Sequence, residues 1–290
     1  MSSTLSALYA SSAAIGLVAC GVSVAEPIGV GSSEAGAAGG GVVGGAGTGG
    51  SAGSDALSRD LVAYWKLDEP NAADSALDAL SGDAALSGTP VNGPQPASET
   101  PPVGFENPRS RSFNGVDQYL LIKDNDALNF SVEITLAAWV NVAALNDTCQ
   151  YVIGHGYCLD PPGEVVLRIG STSCGPGVAP HYWAVGSWLL AEHTATAVVD
   201  AADLGVWIHL VGTYDGQAWH LYRNGEEVGS QVSTVGAVPV RSDWAIGARA
   251  PGVPPCVPQP AERFFDGSID DVRIYRRALD AAEVRELYHR

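Results

Sequence analysis

The sequence predicts an all-β protein of antiparallel strands with one short helix at its C-terminal end. The 290 residues are 46% apolar and only 16% charged, and they include 35 Gly and 18 Pro. Such a composition is too apolar for a disordered chain and too rich in Gly and Pro for a helical bundle. Short β-branched or aromatic runs, most of them separated by Gly, Pro, Asn or Asp, predict the strands. These runs are 63–67, 118–122, 134–140, 165–169 and 272–275.

The chain is strongly acidic, with 32 Asp and Glu against 15 Lys and Arg and a formal net charge of −17. A chain with so few cations cannot neutralise a run of phosphates, which argues against nucleic acid as a partner. The acidity is typical of a secreted protein that must stay soluble, or of one that binds a cation.

The first 20 residues predict an export signal. Residues 5–19 form an apolar stretch about as long as a signal-peptide core and shorter than the ~20 residues that a membrane-spanning helix needs. The stretch ends in the sequence LVACG, residues 17–21, which resembles the bacterial lipobox and implies that Cys20 becomes the lipidated first residue of the mature protein. No Lys or Arg precedes Cys20, although export signals usually begin with positive charge. The alternative is a disordered terminus in which the cysteine occurs by chance.

Residues 21–58 predict a flexible tether, because they carry 13 Gly and no basic or aromatic residue. Residues 59–290 have the length of one large β-sandwich domain. No long apolar run interrupts this domain, so the lipid is the expected attachment to the membrane. We therefore expect a cell-surface or outer-membrane lipoprotein, or otherwise a secreted protein.

The last ten residues predict the helix. Asp280 and Glu283 have the spacing of a capping box, in which each side chain accepts a hydrogen bond from the backbone N–H of the other residue. Val284, Leu287 and Tyr288 fall on one stripe at helical spacing. This pattern is typical of an amphipathic helix.

Two tight turns predict a three-stranded meander over residues 207–230. Asp215-Gly216 and Asn224-Gly225 are two-residue hairpin sequences, because glycine accepts the positive φ that such turns require. Counting from the first turn places Tyr214 opposite Gln217. The predicted core face then consists of Ile208, Leu210, Trp219, Leu221 and Val228, with Gly212 leaving space beside the Trp219 indole.

The opposite face of this meander mixes aromatic and polar side chains. Such a mixture is typical of a sugar-binding surface, and also of a solvent face partly covered by a loop. A slip of one residue in either turn would exchange the two faces. The face holds Trp207, His209, Val211, His220, Tyr222 and Glu227.

Five segments resemble, in order, those of the LamG-like jelly-roll domain, a branch of the concanavalin A-like lectin/glucanase superfamily. They are AYWKLDE, SFNGVDQYL, the strand ending in AWV, the hairpins WIH…GTYDG…LYRNG and the closing FDGSIDDVRIY. The resemblance covers nearly the whole globular part and implies a jelly-roll β-sandwich of two antiparallel sheets. Residues 141–195 follow the family pattern poorly, and ligand preference usually varies in such loops.

The resemblance implies a non-catalytic, surface-exposed binding module whose ligand is a glycan, a surface polysaccharide or extracellular-matrix material. Trp and Tyr rings stack on sugar rings, and neighbouring polar groups bind the hydroxyl groups. The candidate ligand-binding residues are Trp183, Trp188, His209, His220 and Tyr222.

Two other classes of protein remain open. An adhesion module that binds surface proteins would need an exposed apolar patch of several hundred Å². A glycoside hydrolase or lyase would need two carboxyl groups in one cleft, one of them with a raised pKa. Related glucanases carry such a pair as Glu-x-Asp-x-x-Glu on one strand, and this string does not occur in the sequence. We assign no catalytic residue.

Four cysteines follow Cys20, an even number that predicts disulfides in an exported chain. Four cysteines allow three pairings. We expect Cys149–Cys158, which closes a small loop, and Cys174–Cys256, which joins two loops rich in Gly and Pro. Reduced, buried thiols are the alternative.

Acidic residues gather in the loops where the resemblance implies a structural cation. The first and last strands of a jelly roll are neighbours, so the loops that follow them can converge. Calcium takes six to eight oxygen ligands, which carboxylates and loop carbonyls supply. Alternatively, Asp and Asn only form turns here. The expected calcium ligands are Asp68, Asp74, Asn114 and Asp270.

Overall fold

In the computed structural model, β-strands are the main regular secondary structure of the described chain, and an α-helix closes it. The predicted signal peptide, Cys20 and the tether as far as residue 55 lie outside the described residues. No helix in the described part of the chain is long and apolar enough to cross a membrane. The described residues are 56–82, 84–146, 148–156, 158–159, 162–171, 174, 180–254, 256 and 258–290.

The strands are short, and loops or single 3-10 turns connect them. The strands of the described residues are β1 Leu61–Trp65, β2 Thr89–Val91, β3 Gln95–Ala97, β4 Ser110–Asn114, β5 Tyr119–Ile122, β6 Ile134–Val142, β7 Gln150–His155, β8 Cys158–Leu159, β9 Pro162–Gly170, β10 Tyr182–Leu189, β11 Ala191–Val198, β12 Trp207–Tyr214, β13 Ala218–Arg223, β14 Glu226–Val232, β15 Trp244–Ile246 and β16 Asp266–Tyr275. The 3-10 turns are Ala84–Leu86, Asp126–Leu128 and Ala201–Asp203, and the helix α1 is Ala281–Tyr288.

These strands form two antiparallel sheets, as the sequence predicts. The first sheet has the order β14-β13-β12-β6-β16-β4-β3, with β1 paired to β16. The second sheet has the order β11-β10-β9-β7-β15-β5-β2, with β8 paired to β9. The expected pairing of the first strand with the last is confirmed, because Ala63 lies opposite Ile274 and Trp65 opposite Val272.

The hydrophobic core lies between the two sheets. Trp65 and Trp219 of the first sheet and Trp183 of the second are all fully buried there. The two sheets lie close together at Gly212, where an added Cβ would lie 2.0 Å from Cγ2 of Val185. Gly212 therefore makes room for Val185 of the opposite sheet, and not for the Trp219 indole as predicted from the sequence.

The first hairpin of the meander turns one residue later than predicted. Tyr214 lies opposite Trp219, and the backbone N–H of Asp215 donates to the carbonyl of Ala218 at 3.3 Å. The Asp215 carboxylate accepts hydrogen bonds from the backbone N–H groups of Gln217 and Ala218, both at 2.8 Å. The predicted pairing of Tyr214 with Gln217 is wrong by two residues. Because side chains alternate with a period of two, the two faces keep their predicted assignment.

Val228 is a second difference in the meander. Leu221 lies opposite Gly229 and Tyr222 opposite Glu227, so Val228 has no partner and forms a β-bulge. Its side chain is 40% exposed and does not belong to the core. The bulge, which the turn sequence alone does not reveal, explains why this part of the predicted core face is wrong.

The helix α1 covers the outer face of the first sheet. Its predicted capping box is confirmed, since Asp280 accepts from the N–H groups of Ala282 and Glu283 while Glu283 accepts from the N–H of Asp280. Val284 and Leu287 are buried against the sheet. A second apolar cluster therefore lies on the side of the first sheet that faces away from the core.

Two disulfides tie the second sheet to its loops, but with a different pairing from the expected one. They join Cys149 to Cys174 and Cys158 to Cys256. Cys149 precedes β7 and Cys158 follows it, so a six-residue strand of about 20 Å separates them. The expected pairs Cys149–Cys158 and Cys174–Cys256 are wrong for this reason. Instead, Cys149 pairs with the cysteine that follows β9, which is the neighbour of β7 in the sheet.

Candidate functional site

The outer face of the second sheet contains a pocket of about 330 Å³. Its position follows from the alternation along β9. Val165, Leu167 and Ile169 point into the core, whereas Glu164 and Arg168 point outwards and line the pocket. The other charged and aromatic side chains of its wall are Tyr151 of β7, Trp188 of β10, Glu192 of β11, and Arg249 and Arg263 from the chain between β15 and β16.

A buried carboxylate lies at the base of this pocket. Glu164 is only 7% exposed, and its Oε1 accepts a hydrogen bond of 2.9 Å from the hydroxyl of Tyr151. Burial raises the pKa of that tyrosine, so the hydroxyl keeps its proton and acts as the donor. Oε2 of Glu164 has no hydrogen-bond donor among the described residues, and Nη1 of Arg249 lies 3.7 Å from it. Within this part of the chain, one buried oxygen of the carboxylate thus accepts no hydrogen bond.

Arginines hold the wall of the pocket together. Arg263 donates to the hydroxyl of Tyr151 at 2.6 Å and pairs with Glu262 at 3.0 Å. Arg249 pairs with the same Glu262 at 2.7 Å. The pocket is therefore a set of fixed polar side chains rather than an apolar cleft.

The disulfide Cys149–Cys174 forms part of the same wall. Nη1 of Arg168 donates to Sγ of Cys149 at 2.7 Å and to Sγ of Cys174 at 2.9 Å. The other end of the guanidinium pairs with Glu192. Arg168 thus links the disulfide to the neighbouring strand β11, and Cys174 itself lines the pocket.

Of the predicted ligand-binding residues, Trp188 alone lines this pocket. It is half-buried, at the end of β10. His220 is also half-buried, but it lies on the outer face of the first sheet between Asp215 and Glu227. The structure therefore separates these two residues onto different sheets.

The other three candidates are buried, which contradicts their assignment as ligand contacts. Trp183 lies in the core and donates from Nε1 to Asp203 at 3.1 Å. His209 is 0% exposed and Tyr222 is 5% exposed. The helix α1 covers His209 and Tyr222. The sequence predicts this helix but does not show that it packs on the sheet.

His209 is enclosed by aromatic rings. Its ring centroid is 4.9 Å from that of Trp139 and 6.0 Å from that of Tyr288 in the helix α1. Neither ring nitrogen of His209 has a hydrogen-bond partner among the described residues. Burial lowers the pKa of His209 to about 3, so the ring is neutral and belongs to the packing of the helix.

The four expected calcium ligands do not come together in one site. Asp74 accepts from the N–H of Asn71 at 3.1 Å, and Asn114 accepts from the N–H of Val116 at 3.0 Å. Both side chains thus cap their own turns, which is the alternative that the sequence left open. The buried guanidinium of Arg111 fixes the loop after β1 by donating to the carbonyls of Asn71 and Asp74 at 2.8 and 3.1 Å.

The other two expected ligands are Asp270, which forms a buried acidic pair with Asp271, and Asp68, whose charge acts on that pair. Burial and the neighbouring charges of Asp271 and Asp68 raise the pKa of Asp270 to about 9. Nδ2 of Asn107 donates to Oδ2 of Asp270 at 2.8 Å, and the hydroxyl of Tyr64 donates to Oδ1 of Asp271 at 2.5 Å. Within the part of the chain that the structure describes, three buried oxygens have no hydrogen-bond donor: Oδ1 of Asn107, Oδ1 of Asp270 and Oδ2 of Asp271.

This acidic cluster is a partial fit to a cation. Its unpaired acceptors are hard oxygens, which are the atoms that calcium prefers. Among the described residues, no three His, Cys, Asp or Glu side chains are arranged as a metal site. The fit therefore depends on the amide oxygen of Asn107 as well as on the two carboxylates.

Comparison with known proteins gives the family. Residues 114–285, more than half of the chain, match the family model described as the concanavalin A-like lectin/glucanases superfamily. The chain therefore belongs to this superfamily, as its resemblance implied. No curated protein matches the chain in sequence.

Solved structures share the fold at low identity. Domain 4 of AbnA, an extracellular arabinanase from Geobacillus stearothermophilus solved with arabinotriose, is 18% identical with a TM-score of 0.55, over 79% of this chain and 98% of that one. The binding domain of Paraclostridial Mosquitocidal Protein 1 is 14% identical with a TM-score of 0.54, over 80% and 52%. The binding domain of botulinum neurotoxin serotype D is 10% identical with a TM-score of 0.52, over 82% and 52%. This chain thus spans about half of each toxin structure, and the likeness shows the fold.

Proposed function

We propose that the protein is a non-catalytic glycan-binding module and that the pocket on the second sheet is its binding site. The observation that carries the proposal is the combination of the half-buried Trp188 ring with fixed polar side chains in one pocket. Aromatic faces bind sugar rings, and carboxylate and guanidinium groups bind their hydroxyl groups. The volume of about 330 Å³ is at the lower end of the range for small-molecule sites, which suits one or two sugar rings.

The positions of the carboxyl groups whose pKa is raised support a role in binding. The carboxyl groups with a raised pKa include Asp68, Asp124, Asp270 and Asp271, and all four lie outside the pocket. A glycosidase needs such an acid within its cleft. The similar domain of the arabinanase was solved with arabinotriose, and two similar structures are toxin binding domains, which are further support for a binding role.

A glycan array tests this proposal. Trp188→Ala should weaken binding about tenfold or more, because a stacked ring and its buried area are lost. Trp207→Ala is the matched control, since Trp207 is a half-buried tryptophan on the other sheet, and it should bind like the parent. Equal binding by parent and Trp188→Ala would overturn the proposal. If binding to surface proteins persisted in that variant, an adhesion module would be favoured instead.

We also propose a structural calcium ion beside β1 and β16. Asp270 of the expected ligands would hold it, joined by Asn107 and Asp271, while Asp68, Asp74 and Asn114 would have no part. The three buried oxygens without a donor support this assignment. Calcium should raise the melting temperature of chelator-treated protein, and Asp270→Asn should abolish the increase. An unchanged melting temperature on adding calcium would contradict the site.

We propose that the protein is exported, with a lipid on Cys20 as its anchor. The two disulfides support export, because such bonds persist in oxidising compartments. Cys20→Ser should move the protein from the membrane fraction to the soluble fraction. Unchanged fractionation would contradict the anchor without affecting the proposal for the pocket.

A further inference from the structure

The charges around the pocket balance. Arg168 pairs with Glu192, and Arg249 and Arg263 both pair with Glu262. Glu164 lies within 4.0 Å of both Arg249 and Arg263. Among the described residues, three guanidinium groups and three carboxylates therefore leave this part of the surface with no net formal charge. Each of these guanidinium groups has a carboxylate beside it, so none of them is free to bind an anionic ligand.

Glu164 makes the base of the pocket unfavourable for an anion. Among the described residues no group donates a hydrogen bond to its Oε2, and the guanidinium groups of Arg249 and Arg263 lie 3.7 and 4.0 Å from its carboxylate oxygens, so they compensate its charge only in part. A carboxylate or sulfate group on a ligand would be repelled by this buried charge. A hydroxyl group would not be repelled, because it can donate to a carboxylate and accept from a guanidinium.

The charge of the whole chain acts in the same direction. A formal net charge of −17 gives a negative field that lowers the local concentration of anionic glycans and slows their approach. A site for acidic sugars would therefore need a strong local excess of positive charge. The paired arginines do not provide one.

Building on the proposed glycan site, we propose that the pocket selects uncharged sugars over acidic sugars and that Glu164 is the residue that determines this preference. Its side chain is held by the hydroxyl of Tyr151 at 2.9 Å, which keeps the negative charge beneath the ligand. Trp188 binds the sugar ring, and Glu164 disfavours a ring that carries an acidic group.

The test compares paired oligosaccharides on an array, one of hexose units and one of the corresponding hexuronates. The parent should bind the hexose member at least tenfold better. Glu164→Gln keeps the shape and the acceptor for Tyr151 but leaves the pocket with one net positive charge. The ratio of hexose to hexuronate binding should then fall about tenfold at low salt, and less at high salt.

Glu226→Gln is the matched control, because it removes the same charge from an exposed position on β14 that pairs with Arg285. It should leave the ratio unchanged. If Glu164→Gln fails to fold, Glu192→Gln removes a more exposed carboxylate of the same pocket, and the ratio should shift in the same direction.

The outcomes separate the two proposals. Preferential binding of hexuronates by the parent, or an unchanged ratio in a folded Glu164→Gln variant, overturns the selectivity while leaving a glycan site. Binding of neither member by the parent, together with no binding across the array, overturns the glycan site itself. A changed ratio in Glu226→Gln as well would show that the total charge of the chain, and not Glu164, determines the preference.

Discussion

The buried His209 predicts a specific loss of stability in acid. Its pKa in the folded protein is about 3, because burial disfavours the charged ring, whereas an unfolded histidine titrates near 6.5. The folded state therefore favours the neutral ring. The stability that depends on this neutral ring is fully present above pH 6.5. It is lost as the pH falls from 6.5 towards 3, because the unfolded state binds the proton first. The loss is at most about 1.4 kcal/mol per pH unit, or roughly 3 kcal/mol at pH 4.

Urea unfolding between pH 7 and pH 4 measures this effect as a difference between parent and variant. His209→Phe keeps a ring between Trp139 and Tyr288 but cannot bind a proton. Its stability relative to the parent should therefore rise by roughly 3 kcal/mol as the pH falls from 7 to 4. His220→Phe is the control, because His220 is half-buried beside Asp215 and Glu227 and is not enclosed by the helix.

The same change of stability with pH in the parent and in His209→Phe would refute this reasoning. It would mean that the ring is protonated as easily in the folded protein as in the unfolded chain. His155, which is also buried with its pKa lowered to about 4, contributes equally to both proteins and cancels in the comparison.

Further predictions concern the disulfides and the core. Replacing Cys158 and Cys256 by Ser should lower the free energy of unfolding by about 4 kcal/mol. This loss should exceed the loss from replacing Cys149 and Cys174, because the joined residues are 98 apart rather than 25. Chemical denaturation of both double variants measures which loss is larger. Gly212→Ala should cost about 1–3 kcal/mol, since the new Cβ would meet Val185. Gly88→Ala, whose Cβ would lie 3.2 Å from Leu120, should cost less, and an equal cost would contradict the close approach of the sheets.

The sequence predicts the fold well because the fold follows from local patterns. Alternation of apolar residues, the turn glycines and the capping box at Asp280 each depend on a few neighbouring residues, and the structure confirms them. The register of the first hairpin failed because Asp215 can serve either inside the turn or as its cap, and its carboxylate takes the second role. The choice depends on contacts that the order of residues does not show.

The site was less predictable, because it depends on which surface is covered. His209 and Tyr222 have the right chemistry for a sugar site, but the helix α1 lies over them. Glu164 and Arg168 line the pocket but were not predicted as site residues. Both alternate along β9 with the core residues Val165, Leu167 and Ile169. That alternation was the available signal. It lies within 141–195, where the family resemblance gave no guidance.

The pairing of β1 with β16 bears on when the protein can fold. Leu61 and Tyr275 are partners from opposite ends of the domain, so the first sheet stays incomplete until the last strand is available. Contacts between such distant parts of a chain form slowly. The first sheet of the nascent chain should therefore remain incomplete until β16 has been synthesised, so the folding of the domain should follow the synthesis of its last strand.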